Sequence, residues 1–290
     1  MTREEFRALT EQGTVLMDGA TGSNLMKAGM PRGTCTEQWV CGHRDVLIGL
    51  QRAYKEAGSQ IVIAPTFTAN RISLAGHGLE QEIVRINREL TAMSREAVGQ
   101  DVLVAGDLTT IGNTQGEYEL LLDVYKEQIQ ILCGGGVDLI IAETMLGLEE
   151  TMAALEACRQ VCDLPIICSL TVEADGSLFF GGNVYEAAQA LAEMGADAVG
   201  INCSVGPDQL EAVVRGIRAG VSVPVLAKPN AGMPAIDEKG EAVYSMGPDE
   251  FAAHMERLVE AGAGIIGGCC GTTPEYIRKT AERIRGGDRV

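Results

Sequence analysis

The chain alternates between short apolar runs and longer helical patterns along its whole length. Eight runs stand out as strands, and each is followed by a glycine or polar turn and then a helical stretch. Because these runs are continuously apolar rather than apolar at every second position, they predict parallel strands buried on both faces. The predicted strands are Val15–Met17, Ile61–Ala64, Val102–Ala105, Leu139–Ala142, Ile166–Leu170, Ala198–Asn202, Val225–Ala227 and Ile265–Gly267.

Helical patterns occupy the segments between these strands. Val184–Met194 and Gln209–Ala219 are examples, and glycine stops at Met194–Asp197 and Ala261–Ala263 turn the chain into the next strand. Eight β-then-α units favour an α/β fold of one closed barrel, the TIM-type (β/α)₈ barrel, over an open doubly wound sheet. Such a barrel accommodates 290 residues, so we expect residues 1–290 to form a single domain.

Composition and charge exclude several classes of function. The formal net charge is −17, from 23 basic and 40 acidic residues, so no broad face would neutralise nucleic-acid phosphates. No stretch approaches the roughly 18 apolar residues of a membrane span, and the charged amino-terminal segment lacks the apolar core of a signal peptide. We therefore expect a soluble, cytoplasmic protein that binds neither nucleic acid nor membrane. Nine cysteines, an odd number, then indicate free thiols or metal ligands rather than disulfides.

Polar and reactive side chains follow the predicted strands at their carboxyl ends. In a barrel these ends meet at one rim, where the chemistry of this fold resides, so residues distant in sequence are expected to share one pocket. The residues concerned are Asp18, Thr66, Asp107, Glu143, Cys203, Lys228, Asn230, Cys269 and Cys270.

Three cysteines form the strongest candidate site. Cys203 ends the sixth predicted strand, and Cys269 and Cys270 follow the eighth within a Gly-Gly-Cys-Cys-Gly sequence. Adjacent side chains on a regular strand point to opposite faces, and the flanking glycines supply the freedom that lets the pair converge. Three thiolates with an open fourth position are typical of a catalytic zinc site. The alternative is a buried Cys-Cys pair in a barrel strand.

The charge of this ligand set favours one kind of chemistry. Three thiolates on Zn²⁺ leave a net charge of −1, which disfavours making hydroxide from water. A substrate thiol at the fourth position would lose its proton yet remain electron-rich, which favours sulfur alkylation over hydrolysis. Asp18 and Glu143 could hold the ammonium group of an amino-acid substrate; the alternative is that they cap helices.

The other six cysteines lack a comparable context. We interpret Cys158, Cys162 and Cys168 as small buried apolar side chains. The full set is Cys35, Cys41, Cys133, Cys158, Cys162 and Cys168. Two segments after strands, residues 31–45 and Asn230–Gly247, are candidates either for lids over the pocket or for plain surface loops.

Several motifs together resemble the homocysteine S-methyltransferase family, over about residues 12–285. The Gly-Gly-Cys-Cys-Gly sequence paired with an upstream Asn-Cys is highly specific, and Pro-Asn-Ala-Gly and Gly-Thr-Thr-Pro are more similar to the homocysteine module of cobalamin-dependent methionine synthase than to relatives that use betaine or S-methylmethionine. The segments are Asp18–Asn24, Thr66-Phe67, Asn70-Arg71, Glu143-Thr144, Gly200–Cys203, Pro229–Gly232 and Gly267–Pro274.

The resemblance implies a homocysteine-binding barrel over residues 1–290 and one zinc held by Cys203, Cys269 and Cys270. Homocysteine would supply the fourth sulfur, with its amino group on Glu143, and Asn230 matches a residue that occupies the open position before substrate arrives. The methyl donor implied is a methylcobalamin carried on a separate corrinoid protein. The substrate-binding residues implied are Asp18, Gly19, Ala20, Thr66, Glu143 and Asn230.

Departures from the family pattern leave alternatives open. The turns at Asp107–Gly112 and Gly181–Asn183 differ from those usual in the family, so the acceptor thiol or the donor could differ. One alternative is a small-molecule donor of the S-methylmethionine or betaine type, and another is a non-catalytic protein that binds zinc or a thiol amino acid. A third is a Schiff-base lyase or aldolase that uses Lys228.

Overall fold

A computed structural model describes residues 1–111, 117–236 and 242–287. Eight strands form one parallel sheet, and two further strands form a small antiparallel hairpin. The strands are β1 (Val15–Leu16), β2 (Ile61–Ala64), β3 (Leu103–Leu108), β4 (Leu139–Met145), β5 (Ile166–Leu170), β6 (Ala198–Asn202), β7 (Val225–Lys228), β8 (Pro234–Ile236), β9 (Ala242–Tyr244) and β10 (Ala263–Ile266).

Helices follow the barrel strands and surround them. They are α1 (Arg3–Glu11), α2 (Gly22–Lys27), α3 (Thr36–Gly42), α4 (Arg44–Ala57), α5 (Arg71–Ala75), α6 (Ile83–Val98), α7 (Tyr118–Gly134), α8 (Leu148–Val161), α9 (Val184–Glu193), α10 (Glu211–Gly220), α11 (Pro248–Glu260) and α12 (Pro274–Gly287). No helix within the described residues is long and apolar enough to cross a membrane.

The large sheet closes into a barrel, which confirms the predicted fold class. Its strand order is β1-β10-β7-β6-β5-β4-β3-β2. The two end strands meet where Met17 pairs with Ile61 in parallel and the Gln60 amide donates to the Leu16 carbonyl at 2.7 Å. Closure leaves no free sheet edge and brings the carboxyl ends of all eight strands to one rim.

Several predicted boundaries were wrong by one to three residues. β3 and β4 run on to Leu108 and Met145, so Asp107 and Glu143 lie within strands rather than after them. β10 begins and ends earlier than the predicted Ile265–Gly267. The barrel register decides these ends, because each strand continues for as long as its neighbour offers backbone hydrogen bonds.

The two segments that are candidates for lids or surface loops contain regular structure. Residues 31–45 include α3 and the start of α4. The segment Asn230–Gly247 contains the β8–β9 hairpin, and its residues 237–241 lie outside the described residues, as does Gly112 of the turn after β3.

The barrel is filled from its amino end. Apolar side chains from alternate strand positions, among them Ile141, Ile167, Leu226 and Ile265, form an interior cluster. Phe6 of α1 packs into this cluster and is fully buried. The opposite, carboxyl end is therefore where a ligand can enter the barrel.

Candidate metal centre and active site

The three predicted cysteines converge at the carboxyl rim. The sulfurs of Cys203, Cys269 and Cys270 all lie within 4.8 Å of one another, and the Cys203 and Cys270 sulfurs are 3.5 Å apart. Zinc–sulfur bonds of about 2.3 Å in a tetrahedron place the ligand sulfurs about 3.8 Å apart. Among the described residues this is the one histidine, cysteine and carboxylate group with metal-ligand spacing. The sulfurs therefore fit zinc without rearrangement of the backbone.

Irregular backbone brings the sulfurs together. Cys203 adopts the left-handed region at φ +50, and its amide donates to the Lys228 carbonyl at 3.2 Å. The Cys269 amide donates to the Pro229 carbonyl at 2.8 Å, which fixes the pair against the end of β7. A side chain at Gly268 would clash with Thr272, so glycine is required there.

The pKa values of the clustered thiols are shifted in opposite directions. Hydrogen bonds from Cys203 and Cys269 lower the pKa of Cys270, while the same network raises the pKa of Cys269. The Tyr244 hydroxyl also donates to the Cys270 sulfur. One negative charge is thus stabilised by neighbouring donors, whereas ionising all three thiols requires a cation at the cluster.

A cavity of about 420 Å³ opens beside the cysteines. All three cysteines line it, together with Glu143 and Lys228. Gly19 and Ala20, to which the resemblance assigns substrate binding, line it as well, whereas Asp18, Thr66 and Asn230 are buried and are not among its lining residues.

Gly19 and Ala20 form a rigid part of the cavity wall. A side chain at Gly19 would come within 2.7 Å of the Tyr54 hydroxyl oxygen, so only glycine fits. The Ala20 amide donates to Thr272 Oγ1 at 3.0 Å, and its carbonyl accepts from the Tyr54 hydroxyl at 2.7 Å. These bonds fix the turn after β1 against the turn that carries Cys269.

Lys228 joins the two predicted carboxylates. Its Nζ lies 3.6 Å from Asp18 Oδ1 and 3.4 Å from Glu143 Oε2, and all three side chains are largely buried. Burial lowers the pKa of Lys228, but the surrounding carboxylates outweigh it and hold the pKa above its usual range. The amine is therefore a protonated counter-ion, which opposes the Schiff-base alternative.

Neither predicted carboxylate caps a helix. Asp18 Oδ2 accepts from the Ile63 amide at 2.8 Å, which ties the end of β1 to β2. The helices that follow begin beyond Thr21 and Gly147, neither position showing a side-chain cap hydrogen bond. Burial raises the pKa of Asp18 to about 6, although Lys228 and the Ile63 amide oppose the shift.

Thr66 positions Asp107, a cavity residue to which the sequence assigns no role. Thr66 Oγ1 donates to the Asp107 carbonyl at 3.0 Å and accepts from the Asp107 amide at 2.9 Å. Asp107 is 3% exposed and lines the cavity, and its Oδ1 has no hydrogen-bond partner within the part of the chain that the structure describes. Burial, and next the charge of Glu143, raise the pKa of Asp107 well above its usual range. The signal available in the sequence was its place at the end of the third strand.

Asn230 carries a second unpartnered acceptor. Its Nδ2 donates to the Ser204 carbonyl at 2.8 Å, which orients the side chain. Its Oδ1 is buried and has no hydrogen-bond partner among residues 1–111, 117–236 and 242–287. A buried oxygen without a hydrogen-bond partner is suited to binding a cation or a hydrogen-bond donor.

Tyr244 is a site residue that the sequence did not predict. It comes from the β8–β9 hairpin, whose exposed residues form no apolar pattern.

Comparisons with known proteins find similarity over nearly the whole chain. The family model described as "Homocysteine S-methyltransferase" matches residues 15–284. The methionine synthases of Mycobacterium leprae and Mycobacterium tuberculosis are each 31% identical over 299 aligned residues, covering 94% of this chain. The match covers 24% and 25% of those proteins, so the chain spans about a quarter of their length.

A solved structure supports the fold. The metallated form of the homocysteine methyltransferase MmuM from Escherichia coli superimposes with a TM-score of 0.81 at 22% identity. The match covers 96% of this chain and 99% of that one. The same barrel therefore extends over nearly the full length of both chains.

Proposed function

Since this chain belongs to the homocysteine S-methyltransferase family, we propose that it is a zinc-dependent thiol S-methyltransferase acting on homocysteine or a similar thiol. The observation that carries the proposal is the convergence of Cys203, Cys269 and Cys270 on the wall of a cavity that also contains buried carboxylates. We further propose that residues 1–290 act as one homocysteine-binding domain.

The three cysteines would hold the zinc. When bound there, zinc would supply the Lewis acidity that favours the thiolate form of a substrate thiol. We propose that the unpartnered Oδ1 of Asn230 would serve as a ligand of the metal while substrate is absent. Tyr244 holds Cys270 by its hydroxyl and so orients one ligand.

The carboxylates would select an amino acid. Asp18, Asp107 and Glu143 have a single buried cation, Lys228, among them, and the raised pKa values of Asp18 and Asp107 show that a second cation is needed for all three to ionise readily. A substrate ammonium supplies the missing positive charge. Glu143 and Asp107 line the cavity and would contact it directly, whereas Asp18 would act through Lys228.

The proposed donor is a methylcorrinoid carried by a separate protein. The similarity to methionine synthases supports this choice. The cavity of about 420 Å³ admits an amino acid, so a corrinoid would approach from the open rim. The acidic wall favours a second candidate, because a sulfonium or quaternary ammonium donor carries the opposite charge.

Methyl transfer tests the proposal directly. Zinc-loaded protein is incubated anaerobically with homocysteine and, separately, methylcobalamin, S-methylmethionine or betaine, and methionine is measured by mass spectrometry. We expect methionine with at least one donor and none from Cys203→Ser. Tight homocysteine binding without turnover from any donor would instead indicate the non-catalytic thiol-binding protein.

A further inference from the structure

A second group of cysteines lies away from the candidate metal centre. Cys133 is in the last turn of α7, Cys158 is in the last turn of α8, and Cys162 directly follows α8. The sulfurs of Cys158 and Cys162 are 3.7 Å apart. Hydrogen bonds with both Cys133 and Cys158 act on the pKa of Cys162, so its sulfur is the centre of this group.

The backbone already has the spacing of a disulfide. The Cys162 amide donates to the Cys158 carbonyl at 2.9 Å, which closes one helical turn between them. One such turn separates the two Cα atoms by about 6 Å, and disulfides span Cα separations of roughly 4.4 to 6.8 Å. Rotation of the side chains is therefore enough to bring the sulfurs into bonding distance.

The surroundings of Cys162 differ from those of the other cysteines outside the metal centre. Cys162 is half-buried and, together with Cys133, lines a cavity of about 430 Å³ beside the amino-terminal residues, whereas Cys158 is fully buried. Thiol donors from Cys133 and Cys158 lower the pKa of Cys162. Burial instead raises the pKa values of Cys41 and Cys168 to about 12. Cys162 thus combines access from solvent with a stabilised thiolate.

We propose that Cys162 is a peroxide-reactive thiol that forms a reversible disulfide with Cys158. The Cys162 thiolate attacks one oxygen of a hydroperoxide; the S–O bond forms, the O–O bond breaks, and an alkoxide or hydroxide leaves and takes a proton. The Cys158 sulfur then attacks the sulfenic sulfur, and the released hydroxide leaves as water with the Cys158 proton. Two thiols are oxidised, one hydroperoxide is reduced, and Cys133 remains a thiol.

This site does not depend on methyl transfer. Its sulfurs belong to α7, α8 and the residue after α8, on the outside of the barrel. Cys203, Cys269 and Cys270 instead follow β6 and β10 at the carboxyl rim. Zinc loading should protect Cys203, Cys269 and Cys270 from oxidation, so that Cys162 and its neighbours can be oxidised selectively.

Peptide mapping of the oxidised protein tests the pairing. The zinc-loaded full chain is treated with limiting hydrogen peroxide, blocked with iodoacetamide and digested with trypsin without reduction. Arg159 separates Cys158 from Cys162, so their disulfide joins peptide 127–159 to peptide 160–215. Fragmentation of the joined peptides assigns the two sulfurs.

We expect this cross-link in the wild type and in the control Cys41→Ser, and its loss in Cys162→Ser. In Cys158→Ser, oxidation stops at a Cys162 sulfenic acid, which dimedone captures. Dithiothreitol should abolish the cross-link. A cross-link from Cys133 in place of Cys158, or oxidation that leaves Cys162 reduced, would overturn the proposal.

Discussion

The side-chain amide of Asn202 in β6 forms two hydrogen bonds with Thr144 in β4. Its Oδ1 accepts from the Thr144 amide at 2.8 Å, and its Nδ2 donates to Thr144 Oγ1 at 2.8 Å. Thr144 and Cys203 are the non-glycine residues with positive φ in the described chain, at +57 and +50. Asn202 therefore joins the two strained positions that aim Glu143 and Cys203 at the same cavity.

Asn202→Ala should disturb the site without emptying it. Loss of both hydrogen bonds from the Asn202 side chain would loosen Thr144 and therefore the adjacent Glu143. We expect kcat/KM for homocysteine to fall by about 10- to 100-fold. Zinc content should stay unchanged, because Asn202 contributes no ligand. Steady-state kinetics with a donor that supports turnover, together with elemental analysis, measure both effects.

Thr2→Ala is the matched control for this variant. Thr2 forms a capping box with Glu5 at the start of α1, at the opposite end of the barrel. Its loss should lower the free energy of unfolding by about 1 kcal/mol and leave kcat/KM unchanged. An equal loss of activity in both variants would mean that Asn202 acts through stability alone.

Asp107→Asn should weaken selection of the amino group. We expect KM for homocysteine to rise by roughly 10-fold or more, because Asp107 can ionise when the ammonium enters beside it, whereas an asparagine amide cannot. γ-Mercaptobutyrate, which lacks that ammonium, should be affected little. Competition between the two thiols measures the change, and an equal effect on both would show that Asp107 has only a structural role.

Lys228→Met should destabilise the barrel. Asp18 and Glu143 would be left as buried charges without their partner, at a cost of about 3–5 kcal/mol in the free energy of unfolding. Lys279→Met, whose Asp249 partner is exposed, should change little. Chemical denaturation compares the two variants.

Borohydride trapping tests the same lysine chemically. Because its carboxylate neighbours keep Lys228 protonated, we expect no reduced adduct with carbonyl compounds. Stoichiometric labelling of Lys228 would contradict that assignment.

Stability should depend on pH through Asp18. Its pKa is about 6 in the folded protein and near 4 when unfolded, so the folded state binds more protons between these values. The free energy of unfolding should therefore gain up to about 3 kcal/mol as the pH falls from about 7 to about 4, relative to Asp18→Asn. Denaturation of both metal-free proteins across this range gives the difference, and parallel curves would contradict the assignment.

The strand pattern and the convergence of the three cysteines were predictable for physical reasons. Strands buried on both faces must be continuously apolar, and adjacent cysteines between glycines have few structural explanations. Both signals are local in sequence. Closure of the barrel then follows from the number of β-then-α units.

The sequence did not show that Lys228 pairs with Asp18 and Glu143 in particular. This pairing depends on the stagger of three strands, which no local pattern records. The exposure of Asp107 to the cavity depends in the same way on how far β3 extends beyond the predicted Ala105. Tyr244 reaches Cys270 from an exposed hairpin, and its sequence carries no sign of that contact.

Zinc content per chain tests whether Cys203, Cys269 and Cys270 hold a metal ion. Reduced, anaerobically purified protein is analysed for metal beside Cys203→Ser and the control Cys41→Ser, each before and after reconstitution with zinc. We expect about one zinc per chain in the wild type and control, and a sharp loss in Cys203→Ser. A wild type that neither retains nor takes up zinc, or a Cys203→Ser protein that binds it equally well, would show that these cysteines are not a zinc site.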